Sequence, residues 1–505
     1  MNYKIEPIIL NTDDTNPPEP SEKLWENRVS AYQMYVVPGM PKCSIVVMGY
    51  NRLNKTRYCV ECILKYTKDI DYELILIDNG SDDGTYEFFK SVPYGNKHIV
   101  RVTKNVGSGF PFKFILNIFK GEYLVCMSND LYVTQNWLSN LFKCYESDNK
   151  IGFVEPTSSN VSNNQQIDIN YSSFEEMQEK AAELNCSDPA KWEERMRLIG
   201  ILGIFSKPIL DIVGINDLAF AHDFSEDDIC ARIRRAGYKL VLCRDTWICH
   251  DHDFRNMEDK DPAKYTQSLI NGRAIYREKY YGIDPWDDMN NYEYIMLSQL
   301  KDYQPKDNRL RSLVIDGRCG APVLEIRNHM RQRAITDIQS YGFTTQAKYY
   351  LDLQTIADNV QCDRIDFIQS YYPDNAFDIV VLCEPVNLYP SPITLLQRIY
   401  NLLKPNGVLL FKLRNTDDYK SFMRVTGIID INDSDFPAVL PLSEVQKCLQ
   451  LFGGQSITML AECEELSDVN YGTLFKMLSS IKKDTDNNDL TKLITMNYVV
   501  KVIKG

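Results

Sequence analysis

The chain has 505 residues, too many for one ordinary hydrophobic core, so two to four domains are expected. Its 44% hydrophobic and 25% charged content is that of a soluble globular protein, and a net charge of −13 argues against a nucleic-acid binder. No apolar run approaches the roughly 20 residues of a membrane span, and the opening MNYKIEPIILNTDD lacks the basic and apolar regions of a secretory signal. A cytoplasmic protein without a membrane span is expected. The 14 cysteines are scattered, several in apolar strands (Cys43, Cys126, Cys243, Cys383), as reduced buried thiols would be. Cys59 and Cys62 form a CxxC in a helical stretch with no second pair, which does not make a zinc site.

Residues 1–40 read as an N-terminal extension, proline-rich at Pro17, Pro18 and Pro20. From Cys43 the pattern becomes strand, helix, strand: CSIVVMGY, a helix around Arg57–Tyr66, ELILIDN, a helix from Tyr86, HIVRVTKN, then VGSGFPFKFILNIF as turn and helix. EYLVCMSND is the fourth strand. This alternation predicts an α/β, Rossmann-like, mostly parallel sheet covered on both faces. Between Gly152 and Leu198 the regular pattern lapses, and an insertion that shapes acceptor binding or acts as a lid is expected there.

Ligands of open α/β sheets gather beyond the carboxyl ends of strands. Asp130, after Ser128 and Asn129, stands at such an end, where a carboxylate can hold a divalent cation that grips phosphates. Asp78-Asn79-Gly80-Ser81 ends the second strand; those groups can bond a base or ribose, or simply cap the next helix. Glu226-Asp227-Asp228 opens a helix, where the dipole favours acids, yet transfer to a hydroxyl also needs a carboxylate base. Two of the five histidines, His250 and His252, follow the strand KLVLCRDTWIC.

VVMGYNR, LILIDNGSDDGT, NVG before a helix, GEYLVCMSND with Trp137-Leu138, and FSEDDICARIRRAGYKL, in that order, resemble the family 2 glycosyltransferases of the GT-A fold over roughly residues 41–255. The resemblance implies an inverting glycosyltransferase (hexosyltransferase type) using a nucleotide-sugar donor, usually a UDP-sugar, and Mn²⁺ or Mg²⁺. It places Tyr50 against the uracil and Asp78 with Asn79 on its edge. SND stands for the family's DXD, with Asp130 the metal ligand, Asn129 at the nucleotide, and Ser128 a departure at the first acid. Lys113 can reach the diphosphate, and His250, better than His252, joins the metal. Asp227 is the expected base, with Glu226 one register away; Arg232 and Gly237 match the helix that follows. The acceptor is a protein such as flagellin, or a glycan. A non-catalytic nucleotide-sugar-binding scaffold is the alternative that Ser128 prompts.

Residues 256–308 read as a helical linker. From 309 a second α/β alternation begins, and FDIVVL with LLKPNGVLLFKLRN resembles class I S-adenosylmethionine-dependent methyltransferases, in a domain running to 505. The glycine-rich cofactor turn departs from that family: Asp316 and Gly320 remain, but Arg318 and Pro322 replace glycines, and Gln339 stands where an acid would hold the ribose. S-adenosylmethionine is therefore not expected, and the domain is read as serving acceptor docking or homo-oligomer assembly. A bifunctional glycosyltransferase/methyltransferase is the alternative.

Overall fold

A computed structural model describes residues 6–10, 40–107, 109–220, 223–252, 262–305, 308–425, 438–482 and 486–505; the proline-rich stretch of the N-terminal extension lies outside them. The chain divides into two units, Met1–Asn290 and Asn291–Gly505. The division thus falls inside the stretch expected as a separate linker, 256–308. The helix Pro262–Lys279 lies in the first unit, where Lys279 Nζ approaches Asp228 Oδ1 at 2.6 Å and the Tyr280 hydroxyl donates to the same oxygen at 2.7 Å.

The strands of the first unit are β1 (Ile8–Leu10), β2 (Cys43–Gly49), β3 (Tyr72–Asn79), β4 (Lys97–Val102), β5 (Tyr123–Ser128), β6 (Leu131–Tyr132), β7 (Ile151–Ser158), β8 (Trp192–Arg195), β9 (Leu202–Ser206) and β10 (Lys239–His250). They form one sheet in the order β1-β4-β3-β2-β5-β9-β7-β10-β6, with β8 also on β10. The apolar runs of β2, β3 and β5 are buried because the sheet is covered on both faces. β2, β3 and β5 are parallel; β9 runs against both β5 and β7, and β10 runs with β7. Hence β2, β3, β5, β7 and β10 all end at one edge of the sheet. The helix Ser225–Arg235 runs back before β10 begins, which brings its acidic N-terminus to that same edge.

The expected lapse from Gly152 contains a central strand. β7 is buried at every position, including its polar end Glu155–Ser158, because β9 and β10 flank it. The inserted stretch begins after Ser158 and carries the helix Phe174–Leu184, capped by Ser173. Asn185, buried at its end, ties it to the sheet: Nδ2 donates to Thr134 Oγ1 (2.8 Å) and the carbonyls of Gln135 (2.9 Å) and Trp247 (3.2 Å), and Oδ1 accepts the Trp247 amide (2.7 Å).

The second unit has a seven-stranded sheet, β13-β12-β11-β14-β15-β17-β16, built from β11 (Arg309–Ile315), β12 (Asp337–Thr344), β13 (Asn359–Cys362), β14 (Phe377–Leu382), β15 (Leu403–Arg414), β16 (Gly454–Cys463) and β17 (Thr495–Lys504). The first five of that order are parallel, and β17 is antiparallel to both β15 and β16. Both units are Rossmann-like, as the alternation predicted. One register expectation changes. Gln339 is the third residue of β12, paired with Arg311 near the amino end, and not at the carboxyl end, which is Thr344.

Replacing Asn185 with Leu leaves the buried Trp247 amide unpaired; urea unfolding should show a loss of about 2–4 kcal/mol, against under 0.5 for an exposed substitution.

Candidate active site

Three distant segments meet at Asp130. After β5 the chain turns directly into β6, which pairs with the end of β10: Leu131 opposite His250, Tyr132 opposite Cys249. The Asp251 amide continues the ladder, donating to the Asp130 carbonyl at 2.9 Å. Residues two apart on an extended segment share a face. His250 and His252 therefore both turn to Asp130, while Asp251 turns to Tyr132 (2.7 Å) and Lys55 (3.2 Å). His250 Nε2 lies 3.8 Å from Asp130 Oδ1, and His252 Nδ1 lies 3.5 Å from Oδ2. One donor atom from each of the three residues lies within 4.8 Å of the others.

The protonation states suit a cation. His250 Nδ1 stands 3.0 Å from the Asn160 carbonyl, which can only accept, so Nδ1 carries the proton and Nε2 keeps its lone pair toward Asp130. Burial lowers the His250 pKa against the pull of Asp130, so the ring is neutral. Burial by itself would raise the Asp130 pKa; the His252 and Ser128 hydrogen bonds, and the charges the two imidazoles carry once acid protonates them, bring it down to about 2. Ser128 Oγ, at the place of the missing acid, donates to Asp130 Oδ1 at 2.5 Å. A buried anionic carboxylate beside a neutral imidazole fits a divalent metal. The resemblance favours His250 over His252; the i, i+2 spacing on a strand end is the signal that joins them. No such signal marks Arg52, whose Nη1 lies 3.0 Å from Asp130 Oδ2.

The expected nucleotide residues lie along the same edge. Tyr50, just past β2, is exposed, and Lys113 is exposed on the helix Gly109–Ile115. Asp78 is buried in an ion pair with Arg101, and its Oδ1 accepts the Ser81 amide at 3.2 Å. Asn79 Nδ2 donates to the Gly107 carbonyl (3.0 Å) and Asn105 Oδ1 (3.2 Å). That loop approaches so closely that a Cβ on Gly80 would lie 2.7 Å from the Asn105 amide nitrogen. Asn129 is buried, donating to the Asn51 carbonyl (3.0 Å) and Thr56 Oγ1 (2.7 Å). Asp78, Asn79 and Asn129 thus shape the loops of the edge.

The acidic triplet divides by environment. Asp227 is buried in an ion pair with Arg197, whose Nε faces Oδ1 and whose Nη2 donates to Oδ2 at 3.3 Å; burial raises its pKa against the lowering pull of the guanidinium. Asp228 is buried among Arg232, Lys279 and Tyr280. Glu226 is half-buried and lies beside Gly200, whose Cβ would sit 3.0 Å from Glu226 Cγ and 3.8 Å from Oε1 of the buried Glu155. Burial, with Glu226 nearby, holds the Glu155 carboxyl well above its usual range. The loop after β7 joins the two regions: Ser159 and Asn160 bond His250 (3.0 and 2.8 Å), while Asn163 and Gln165 bond the carbonyls of Arg197 and Ile199 (both 3.1 Å). Arg197 carried no sequence motif. Cys59 and Cys62 are free, buried thiols.

In the second unit, the turn after β11 is bonded by nearby side chains. Asp316, buried, accepts from Tyr389 and from the Thr345 amide (2.6 Å) and hydroxyl (3.0 Å). Arg318 takes a left-handed backbone (φ 47°) and crosses to Glu384 at 3.3 Å. Pro322 lies in the first turn of the helix Ala321–Arg331. The end of β12 offers Thr344, Thr345 and Gln346 and no acid.

Residues 44–191 match the family model for glycosyl transferase family 2, and residues 323–411 match the model for a methyltransferase domain. The chain thus joins a family 2 glycosyltransferase domain to a methyltransferase-like domain. It is similar to a poly(ribitol-phosphate) beta-glucosyltransferase of Bacillus spizizenii (28% identity over 96 residues, 18% of this chain and 15% of that protein). It is also similar to a sterol 24-C-methyltransferase of Pneumocystis carinii (30% over 132 residues, 25% of this chain and 33% of that protein). The chain therefore spans a third or less of these curated relatives. Among solved structures, a mannosyltransferase from Pyrobaculum calidifontis in complex with GDP-Man and Mn²⁺ is similar at 17% identity and a TM-score of 0.37, covering 54% of this chain and 79% of that one. A SAM-dependent methyltransferase from Archaeoglobus fulgidus is similar at 16% identity and a TM-score of 0.29, covering 46% and 99%. Among the described residues no helix is long and apolar enough to cross a membrane.

A folded-state Asp130 pKa of about 2, below its ordinary 3.8, contributes stability that is complete above about pH 4 and is lost as pH falls through about 2. In metal-free protein, the stability gap between wild type and Asp130→Asn should be about 2 kcal/mol at pH 7 and shrink below pH 4 in urea titrations.

Proposed function

We propose that the first unit is a metal-dependent, inverting glycosyltransferase that moves a sugar from a nucleotide donor, UDP-linked, to a hydroxyl of a protein such as flagellin or of a glycan. The observation that carries this reading is the convergence of Asp130, His250 and His252 at the carboxyl edge of the sheet. Asp130 and His250, with His252, would hold the cation; two imidazoles beside one carboxylate favour Mn²⁺ over Mg²⁺, which prefers oxygen ligands. A bound cation supplies charge neutralisation for the departing diphosphate. Tyr50 packs against the base, and Lys113 reaches the diphosphate.

Glu226, rather than Asp227, takes the acceptor proton. Both Asp227 oxygens face Arg197 inside the protein, whereas Glu226 reaches solvent on the first turn of the same helix. The acceptor oxygen attacks the anomeric carbon opposite the diphosphate, its proton passes to Glu226, and the sugar inverts in one displacement. Glu226→Gln should lower turnover by about 10²–10⁴-fold with donor binding retained. Asp227→Asn should instead cost about 3–5 kcal/mol of stability by leaving Arg197 uncompensated. Turnover lost in Asp227→Asn at unchanged stability, with Glu226→Gln active, would return the base to 227.

The second unit is assigned to acceptor docking or self-association. The Tyr389 and Thr345 bonds on Asp316, and the Arg318–Glu384 pair, support this over a working methyltransferase. Isothermal titration with S-adenosylmethionine should give no heat at concentrations up to about 1 mM, where a millimolar ligand would already register; micromolar binding lost in Asp316→Ala would reverse the assignment.

A further inference from the structure

Arg52 belongs to the YNR stretch, yet the mechanism above gives it no part. Its guanidinium lies 3.0 Å from Asp130 Oδ2, the oxygen that also faces His252. The side chain is 37% exposed, while the carboxylate it covers is 5% exposed. The backbone that presents it is held from three strand ends. Asn51 and Arg52 both adopt left-handed conformations (φ 55° and 63°), which L-residues resist. They are fixed by the Asn51 amide to Ser81 Oγ (2.8 Å), the Asp82 amide to Asn51 Oδ1 (3.0 Å), Asn129 Nδ2 to the Asn51 carbonyl (3.0 Å), and the Leu53 amide to Asp83 (2.8 Å). Loops after β2, β3 and β5 thus combine to aim one arginine at one aspartate.

The charge count makes the contact consequential. Ser128 stands where a second acid would be, so Asp130 supplies the one negative charge of the three-residue cluster. The guanidinium balances it one to one. A divalent ion added to Asp130 would place three positive charges on a single carboxylate, and like charges this close in a part-buried site repel. A diphosphate brings the missing negative charge, and the planar guanidinium fork matches phosphate oxygens.

Resting on the reading of Asp130 as metal ligand, we propose that Arg52 is a displaceable counter-cation that couples metal to donor. It holds Asp130 until a nucleoside diphosphate arrives, then moves to the diphosphate as Asp130 turns to the metal. Metal and nucleotide consequently bind together far better than either alone, and by linkage each tightens the other equally. The device reads phosphate and not the base, so UDP and GDP should couple alike.

The test is Mn²⁺ affinity of the full chain, read from the free-ion electron paramagnetic resonance signal, alone and with UDP or GDP. Wild type should bind Mn²⁺ weakly alone and about tenfold or more tighter with either nucleotide. Arg52→Gln should bind Mn²⁺ alone about two- to fivefold tighter than wild type, the range an ion pair of this exposure allows. Its tightening by nucleotide should shrink by a similar factor. Arg52→Lys, which keeps the charge, should retain the weak binding of Mn²⁺ alone. Equal or weaker Mn²⁺ binding in Arg52→Gln with the nucleotide effect intact overturns the counter-cation role and leaves the metal assignment standing. Mn²⁺ binding absent from wild type, or unchanged in Asp130→Asn, overturns the metal assignment and this inference with it.

Discussion

A single buried carboxylate governs the electrostatics of the first unit's functional edge. Asp130 is surrounded by Ser128 from its own strand end, His250 and His252 from the end of β10, and Arg52 from the loop after β2. That meeting depends on backbone pairing: the two residues of β6 lie against the last residues of β10, and this short ladder brings both histidines to an aspartate 120 residues earlier. Parallel strands do the rest by ending together, so the loops after β2, β3 and β5 and the helix bearing the acids share one edge.

The acidic helix shows how three adjacent carboxylates acquire different tasks. Helix geometry turns Asp227 and Asp228 inward, where Arg197 and the Arg232–Lys279–Tyr280 group compensate them. Glu226, on the same first turn, keeps a wet side and lies over the bare backbone of Gly200. Buried acids with guanidinium partners stiffen a site; one with solvent access can exchange a proton. The loop of Ser159–Gln165 bonds both regions, which couples the proposed base to the proposed metal site through backbone and amide hydrogen bonds.

Much of the architecture was legible because buried parallel strands are apolar runs closed by polar turns. Those runs located β2, β3, β5, β11, β14 and β15 and, with them, Asp130 at a strand end. β7 was illegible at its end because Glu155-Pro156-Thr157-Ser158 reads as loop; only its place between two strands buries it. Gln339 was misplaced for a related reason: β12 extends through Tyr341 and Gly342, and a glycine reads as a break. Arg52, Arg197 and the β6–β10 ladder were out of reach, since pairing across tens or hundreds of residues leaves no local pattern. The second unit shows the converse. Its departures at 318 and 322 are visible in sequence, and Tyr389, which bonds Asp316 from 73 residues away, is not.

The most direct test of the central claim is anomalous diffraction at the manganese edge from crystals of the full chain grown with Mn²⁺ and UDP. The account predicts one strong peak within bonding distance of an Asp130 oxygen and His250 Nε2, beside the diphosphate. A peak bound elsewhere, or nucleotide bound at this edge with no manganese near Asp130, would contradict it.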